Sequence, residues 1–155
     1  MGYDALIALS IATKEIDEKY RTEYHERFMK YLEYYQEHDL AAAGAQTDMK
    51  GDRLKRPSEQ PDPDAYVRLV EVKDDGIVVK GAKISITMVA YADEIIVIPT
   101  RALREADKDY AIAFAIPADW EGVHLITRPA AVRAREEIKC PFAEMGVSDS
   151  MVIFD

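Results

Sequence analysis

Residues 66–89 read YVRLVEVKDDGIVVKGAKISITMV, and this stretch does most to decide the fold. β-Branched and aromatic residues flank Asp74-Asp75-Gly76 on both sides and favour strands at 66–72 and 77–80. Asp-Gly between two such runs is typical of a tight β-hairpin. A further strand is predicted at 83–89, so several consecutive strands are expected.

Similar short runs continue along the rest of the chain. Strands are predicted at 94–99, 109–116, 123–127 and 151–154. A short helix or irregular excursion is predicted at 101–107 and a loop at 129–146. Short strands at this spacing favour an antiparallel β-barrel or sandwich over a parallel α/β sheet.

The residues before the strands have helical periodicity. Apolar residues recur at helical spacing over residues 3–20, and an aromatic stripe follows over residues 22–37, which predicts two helices or one bent helix. Small residues and then Pro and Asp dominate 40–64, which predicts mostly loop. The expected fold class is α+β, with a helical segment at 1–39 and a β domain at 40–155.

Composition excludes several classes of function. A formal net charge of −9 argues against nonspecific nucleic-acid binding, which depends on Lys and Arg. The apolar runs are too short to cross a bilayer, and the first residues lack a signal-peptide pattern, so we expect a cytoplasmic protein without a membrane partner. Cys140, the only cysteine, cannot form an internal disulfide or supply an iron–sulfur or zinc site by itself. The three histidines show no metal-ligand spacing, and no metal site is predicted.

Residues 44–53, GAQTDMKGDR, form the first candidate binding segment. Gly51 permits close backbone approach, and Lys50 and Arg53 can neutralise a phosphate. Gln46 and Thr47 can pair with the polar edge of a heterocyclic ring or a ribose. The same composition is also typical of an ordinary solvated turn.

Residues 81–88, GAKISITM, form the second candidate segment. Ser85 and Thr87 are two positions apart, so in a regular strand their hydroxyls project to the same side. They can face a ligand or make cross-strand hydrogen bonds. The chain contains no P-loop, HExxH or hydrolase nucleophile motif, and no residue is predicted to be catalytic.

Four strings carry a family resemblance: GAQTDMKGDR, EQPDPDAYVRLVEVKDDGIVVKGAK, IIVIPTRAL and READKDYAIAFAIPAD. In this order they resemble the middle region of the 4-hydroxyphenylacetate 3-hydroxylase and 4-hydroxybutyryl-CoA dehydratase family. The resemblance covers residues 2–122 and returns at MVIFD. It implies a fold like that of acyl-CoA dehydrogenases, in which flavin lies between a middle β-barrel domain and helical domains.

The resemblance also implies a cofactor and its contacts. FAD is expected, with FMN as the second choice, and the matching positions are Gln46, Thr47, Asp48, Lys50, Gly51, Asp52, Arg53, Ser85 and Thr87. Ser85, Ile86 and Met88 replace the His, Gln and Gly typical of the dehydratase, which argues against that activity. The cysteine and histidine ligands of the dehydratase [4Fe–4S] cluster have no counterpart here, and the C-terminal helical bundle is missing.

The resulting hypothesis is a flavin-binding part of a split or truncated 4-hydroxyphenylacetate 3-monooxygenase-like enzyme, inactive alone. Its partners would be separately encoded helical domains of the same enzyme, or further copies of itself. One alternative is a noncatalytic remnant that acts as an oligomeric binding or structural module. Another is a component of a 4-hydroxybutyryl-CoA dehydratase-like enzyme. A complete small oxidoreductase is the least favoured reading, because flavin and substrate would have only one wall.

Overall fold

The computed structural model describes residues 2–128 and 148–155 of the 155-residue chain. The chain divides into two compact units, Met1–Ala41 and Ala42–Asp155. The loop predicted at 129–146 and Cys140 lie outside the described residues. Within the described residues, no helix has the length and apolar character needed to cross a membrane.

The first unit consists of two helices, α1 (Gly2–Tyr20) and α2 (Tyr24–Glu37). α1 ends where Arg21 adopts a positive φ of 56°. Asp17 of α1 then caps α2, because its carboxylate accepts hydrogen bonds from the backbone N–H groups of Tyr24 at 3.0 Å and His25 at 2.9 Å. Such a cap satisfies donors that the first turn of a helix leaves unpaired. The prediction of helices is confirmed, in its two-helix form.

The described residues of the second unit form seven strands. They are β1 (Ala42–Ala45), β2 (Arg68–Lys73), β3 (Gly76–Thr87), β4 (Glu94–Val97), β5 (Phe114–Pro117), β6 (Val123–Thr127) and β7 (Asp149–Phe154). One sheet has the order β1-β4-β5, with β1 parallel to β4 and β5 antiparallel to it. The other sheet has the order β2-β3-β7-β6, and all of its neighbours are antiparallel. The α+β class is confirmed, but the described strands form two open sheets and do not confirm a closed barrel.

The core of this unit joins both sheets. Its buried residues are Ala43, Ala45, Val67, Ile86, Val89, Ile95, Val97, Val152 and Phe154. Val97 and Phe154 come from different sheets and belong to this one cluster, and the ring of Phe114 meets that of Phe154 edge-on with centroids 5.6 Å apart. Apolar side chains from two sheets thus exclude water from a shared interior.

Three local predictions were wrong. Residues 42–45 form β1 although small residues predicted a loop, because Ala45 is fully buried and the strand pairs with β4. The break predicted at residues 81–82 does not occur, since Gly81 continues β3 with φ of 130° and leaves room for the backbone of Tyr66. The strand predicted from residue 109 begins only at Phe114, because a 3₁₀ segment occupies Glu105–Tyr110.

Candidate functional site

The two candidate segments lie side by side. The backbone N–H of Ile84 in β3 donates a 2.9 Å hydrogen bond to the carbonyl of Thr47. The next residue, Asp48, forms an isolated antiparallel bridge with Lys83. Thr47 and Asp48 therefore lie along one edge of β3, at Ile84 and Lys83, and the structure brings together two segments that the sequence identified separately.

The side chain of Lys83 holds the junction of these two segments together. Its ammonium group donates hydrogen bonds to the Asp48 carboxylate at 2.5 Å, to the Gln46 carbonyl at 3.0 Å and to the Ile98 carbonyl at 2.9 Å. The Lys83 and Asp48 side chains are only 3% and 9% exposed. All three ammonium hydrogens thus have acceptors, as a buried charge requires. The Asp48 carboxylate is engaged in this pair, so of the predicted flavin contacts it has the most clearly structural role.

Sequence reasoning did not identify Lys83 as a functional residue. The available signal was the position of Lys83 between apolar residues in GAKISI, because such a run is expected to be buried. A strand lysine in such a run is rarely fully buried unless it is paired. A regular strand would place Lys83 on the same face as Ser85 and Thr87, which are exposed.

The turn at residues 50–55 is held by the side chain of Gln60. The Gln60 amide accepts a 2.9 Å hydrogen bond from the N–H of Asp52 and donates one of 2.9 Å back to the Asp52 carbonyl. Gly51 has a φ of 47°, and a Cβ atom there would lie 2.3 Å from the Gln60 Oε1 atom. The sequence predicts that Gly51 permits close backbone approach, and in the structure the group that approaches it is the side chain of Gln60.

Several predicted contacts are available to a ligand. Gln46, Lys50 and Arg53 are exposed, and the described residues provide no hydrogen bond or ion pair to their side chains. Asp52 is also exposed, but one of its carboxylate oxygens accepts a 3.0 Å hydrogen bond from the N–H of Leu54. Amide and cationic groups on a fixed turn can bind the polar edge or the phosphates of a nucleotide.

β3 carries a β-bulge where it passes this turn. Lys83 pairs with Val152 and Ile86 with Ser150, so two residues of β3 face one residue of β7. Ser85 in the bulge has a positive φ of 53°. The bulge shifts the alternation after Lys83, so that Ile86 is buried while Ser85 and Thr87 are exposed.

Thr87 is exposed and partly engaged. Its hydroxyl donates a 2.8 Å hydrogen bond to the carboxylate of Asp149 in β7. A hydroxyl has one hydrogen to donate but two acceptor positions, so Thr87 can still accept from a ligand N–H. The hydroxyl orientation is fixed by Asp149, which suits a positioning role.

A small cavity lies behind the Lys83 junction. Its volume is about 10 Å³, and its lining includes Asp48, Lys83, Tyr66 and Thr100. This volume is about that of one water molecule. A ring system cannot enter it, so a flavin would have to lie against the open surface outside.

The 3₁₀ segment beside the turn is fastened by a second buried ion pair. Asp107 is fully buried and binds Arg56, with its Oδ2 atom 2.7 Å from the guanidinium Nε and 2.6 Å from Nη2. Burial favours the neutral acid, but hydrogen bonds from the Ser58 hydroxyl, the Arg104 N–H and Arg56 outweigh it and lower the pKa of Asp107 far below its usual range. This pair joins residues 56–58 to residues 104–107.

Comparison with known proteins gives a consistent family. The family described as "4-hydroxyphenylacetate 3-hydroxylase N terminal" matches residues 1–155, which includes the region between residue 122 and MVIFD that the sequence resemblance does not cover. A 4-hydroxybutyryl-CoA dehydratase/vinylacetyl-CoA-Δ-isomerase from Clostridium aminobutyricum is 46% identical over all of this chain and 33% of its own length.

Solved structures agree with this result. An oxygen-tolerant archaeal 4-hydroxybutyryl-CoA dehydratase from N. maritimus is 40% identical, with a TM-score of 0.86 over 99% of this chain and 32% of its own. The oxygenase component of 4-hydroxyphenylacetate 3-monooxygenase, complexed with FAD, is 32% identical, with a TM-score of 0.77 over 97% of this chain and 31% of its own. A steroid ACAD variant at 20% identity and a TM-score of 0.51 shares the fold. The chain spans about a third of the length of these relatives.

Proposed function

The chain belongs to the 4-hydroxyphenylacetate 3-hydroxylase N-terminal family, and from this premise we propose that it forms one wall of an FAD site in a flavin-dependent oxidoreductase. The observation that carries the proposal is the junction of residues 46–53 with the bulge of β3. It joins a segment with exposed amide and cationic groups to a strand with exposed hydroxyl groups, and a solved relative with this fold is complexed with FAD.

The residues fit such a cofactor in their chemistry. Thr87 would accept a hydrogen bond from the flavin ring, and Gln46 would meet its polar edge, while Lys50 and Arg53 would neutralise its phosphates. When bound, the flavin supplies the redox chemistry, and the protein orients and tunes it. Thr87 and Asp149 would hold one hydrogen-bonding group fixed beside the ring. We assign no catalytic base.

The rest of the site would come from elsewhere. Flavin and substrate need more than one wall to exclude water, and the small cavity in this unit admits neither. We propose that helical domains of the same enzyme, on other polypeptides or on further residues of a longer chain, complete the pocket. Self-association is the second way in which that wall could be supplied.

The first experiment is titration of FAD into the chain, alone and mixed with the products of neighbouring reading frames. Flavin absorbance and gel-filtration mass report retention and assembly. Thr87→Val, which removes the hydroxyl but keeps the shape, should weaken flavin binding about tenfold. Thr87→Ser retains the hydroxyl and should bind as the native chain does. If no mixture retains flavin, the proposal is wrong and a noncatalytic module becomes the better explanation.

A component of a 4-hydroxybutyryl-CoA dehydratase-like enzyme is the second candidate function. It is favoured by the 46% identity to the dehydratase from Clostridium aminobutyricum. Once an assembly retains flavin, activity assays distinguish the two candidate functions. Dehydration of a hydroxyacyl-CoA thioester would support the dehydratase, and oxygen-dependent hydroxylation of a phenol would support the monooxygenase.

A further inference from the structure

The hairpin of β2 and β3 leaves apolar side chains exposed at its tip. Val72 pairs with Ile77 across the hairpin, and these residues are 69% and 47% exposed. Val79, two residues after Ile77, lies on the same face of β3 and packs against the core. The apolar face of this sheet therefore continues past the core, and the described residues leave it uncovered at the tip of the hairpin.

β2 also has an unpaired backbone edge. Among the described strands it lies at one end of the β2-β3-β7-β6 sheet, with β3 as its neighbour on one side. Lys73 and Gly76 form the pair that closes the two-residue turn, and such a pair is hydrogen-bonded within the hairpin. Bonded and non-bonded pairs alternate, so the N–H and C=O groups of Val72 point away from β3. This edge can therefore pair with another strand.

The charges along this edge are complementary to themselves. Glu71 and Lys73 flank Val72 and are exposed, and neither side chain forms a hydrogen bond or ion pair with a described residue. In an antiparallel pair of β2 strands with a two-fold axis at Val72, Glu71 of each copy lies directly opposite Lys73 of the other. An axis at Glu71 would instead oppose two like charges, which destabilises a sheet. The charge pattern thus favours one register.

The other charges of the hairpin do not change this register. Arg68 and Lys80, at the base of the hairpin, are held by Asp64 and Asp155 in ion pairs of 2.8 and 2.6 Å. Residues 74–75, both Asp, lie in the turn beyond the paired residues and add to the net charge of −9 that makes two copies repel at long range. Salt at about 0.15 M screens this long-range repulsion more than it weakens contacts between neighbouring charges.

We propose that two copies of this chain associate through the edge of β2, with the two-fold axis at Val72. The backbone of Val72 in each copy hydrogen-bonds to that of the other, and two Glu71–Lys73 pairs flank it on one face of the sheet. On the opposite face, Val72 and Ile77 of both copies form one apolar cluster, which removes their exposed surface from water. The inference does not depend on the proposed function, since none of the proposed flavin contacts lies in β2.

The interface is small, so the dimer is expected to be weak. Residues 71–73 and the apolar cluster bury well below the roughly 1,200 Å² of a stable complex, and we expect a dissociation constant on the order of 0.1 mM. The chain is therefore a monomer at micromolar concentrations.

The first test is sedimentation equilibrium of the full chain, at concentrations up to about ten times this dissociation constant. Glu71→Lys and Lys73→Glu each oppose like charges and should weaken self-association about tenfold. An equimolar mixture of the two variants should associate as the native chain does, because one copy then carries two lysines and the other two glutamates at these positions. Glu121→Lys changes the net charge as Glu71→Lys does, at an exposed residue between β5 and β6, and should associate at least as strongly as the native chain.

The second test is cross-linking, which reports the register. In a Cys140→Ser background, Val72→Cys should form a disulfide-linked dimer on oxidation with diamide, because the Cα atoms of a bonded pair on the axis are about 5.5 Å apart. Ile126→Cys is the control, since Ile126 is 59% exposed in β6 at the other end of the same sheet, and it should not cross-link.

Three results would overturn the proposal. The chain could stay monomeric at every concentration, as expected if a different polypeptide covers the hairpin. The mixture of Glu71→Lys and Lys73→Glu could associate no better than either variant alone. Ile126→Cys could cross-link as readily as Val72→Cys.

Discussion

At the scale of single residues, the Lys83–Asp48 pair connects the candidate binding turn to β3. Two charges removed from water gain from their mutual attraction only if their remaining hydrogen-bonding groups are also satisfied. Lys83 meets that condition with three acceptors, and the backbone carbonyl of Gln46 receives a further hydrogen bond from the Thr100 hydroxyl. The pair therefore fixes the position at which residues 46–53 contact β3.

Removing one charge of the Lys83–Asp48 pair should lower the free energy of unfolding more than removing both charges. Lys83→Met leaves the Asp48 carboxylate buried without its partner, so we expect a loss of about 3 to 5 kcal/mol in the free energy of unfolding. The double variant Lys83→Met with Asp48→Leu should lose less than Lys83→Met alone. Urea denaturation measures both values. Equal or larger loss in the double variant would contradict this account.

The Asp107 carboxylate should control part of the stability in acid. Its pKa is lower in the folded protein than in the unfolded chain, so its stabilisation is present above about pH 4 and is lost as pH falls toward the folded-state pKa. Asp107→Asn should lower the free energy of unfolding by about 2 to 3 kcal/mol at pH 7, because hydrogen bonds to a charged group are lost. The stability of this variant should decline less than that of the native chain between pH 5 and pH 2.

Asp109→Asn is the control for this measurement, because Asp109 lies on the same 3₁₀ segment but is exposed. Its acid profile should follow that of the native chain. Parallel acid profiles for the native chain and Asp107→Asn, measured by urea denaturation across the pH range, would show that Asp107 is not the group responsible.

At the scale of elements, the bulge in β3 contains measurable backbone strain. Ser85 has a positive φ of 53°, a region that costs residues with a Cβ about 1 to 2 kcal/mol. Ser85→Gly should therefore raise the free energy of unfolding by about 0.5 to 1 kcal/mol, since glycine adopts this conformation freely. Thr87→Gly, in the same strand but without a positive φ, should lower it by about 1 kcal/mol. Destabilisation by both changes would exclude strain at Ser85.

The elements also show what sequence alone can predict. The β2–β3 hairpin follows from local chemistry, since the turn residues between β-branched runs specify it within a few positions. β1 does not follow from local chemistry, because its small residues have little preference for strands. They form a strand because they pair with β4, where Ile95 and Val97 provide a buried surface. Prediction succeeded where neighbours in sequence decide the structure, and it failed where distant residues do.

The candidate site follows the same division. The polar composition of residues 46–53 is visible in the sequence, as are the hydroxyls of Ser85 and Thr87. The burial of Lys83 is not visible in the sequence, because the bulge that shifts the alternation of buried and exposed side chains depends on pairing with β7.

At the scale of the β unit as a whole, both sheets share one core, so they should unfold together. Val152 of β7 is fully buried in the cluster that also contains Ile95 of β4. Val152→Ala should lower the free energy of unfolding by about 2 kcal/mol, and hydrogen exchange should show equal losses of protection in β4 and β7. Val72→Ala, at a residue 69% exposed, should change little. Loss confined to the β2-β3-β7-β6 sheet would indicate two independent cores.

The position of β3 between β2 and β7 has a consequence for the newly made chain. One edge of β3 pairs with β2, which directly precedes it in the chain. The other edge pairs with β7, which is synthesised only after β4, β5 and β6. Until then the edge of β3 that pairs with β7, at residues 81–83 and 86–87, is unpaired and open to other nascent chains. During translation, the ribosome and its associated chaperones would have to shield that edge, and slower synthesis of residues 88–148 would lengthen the interval of risk.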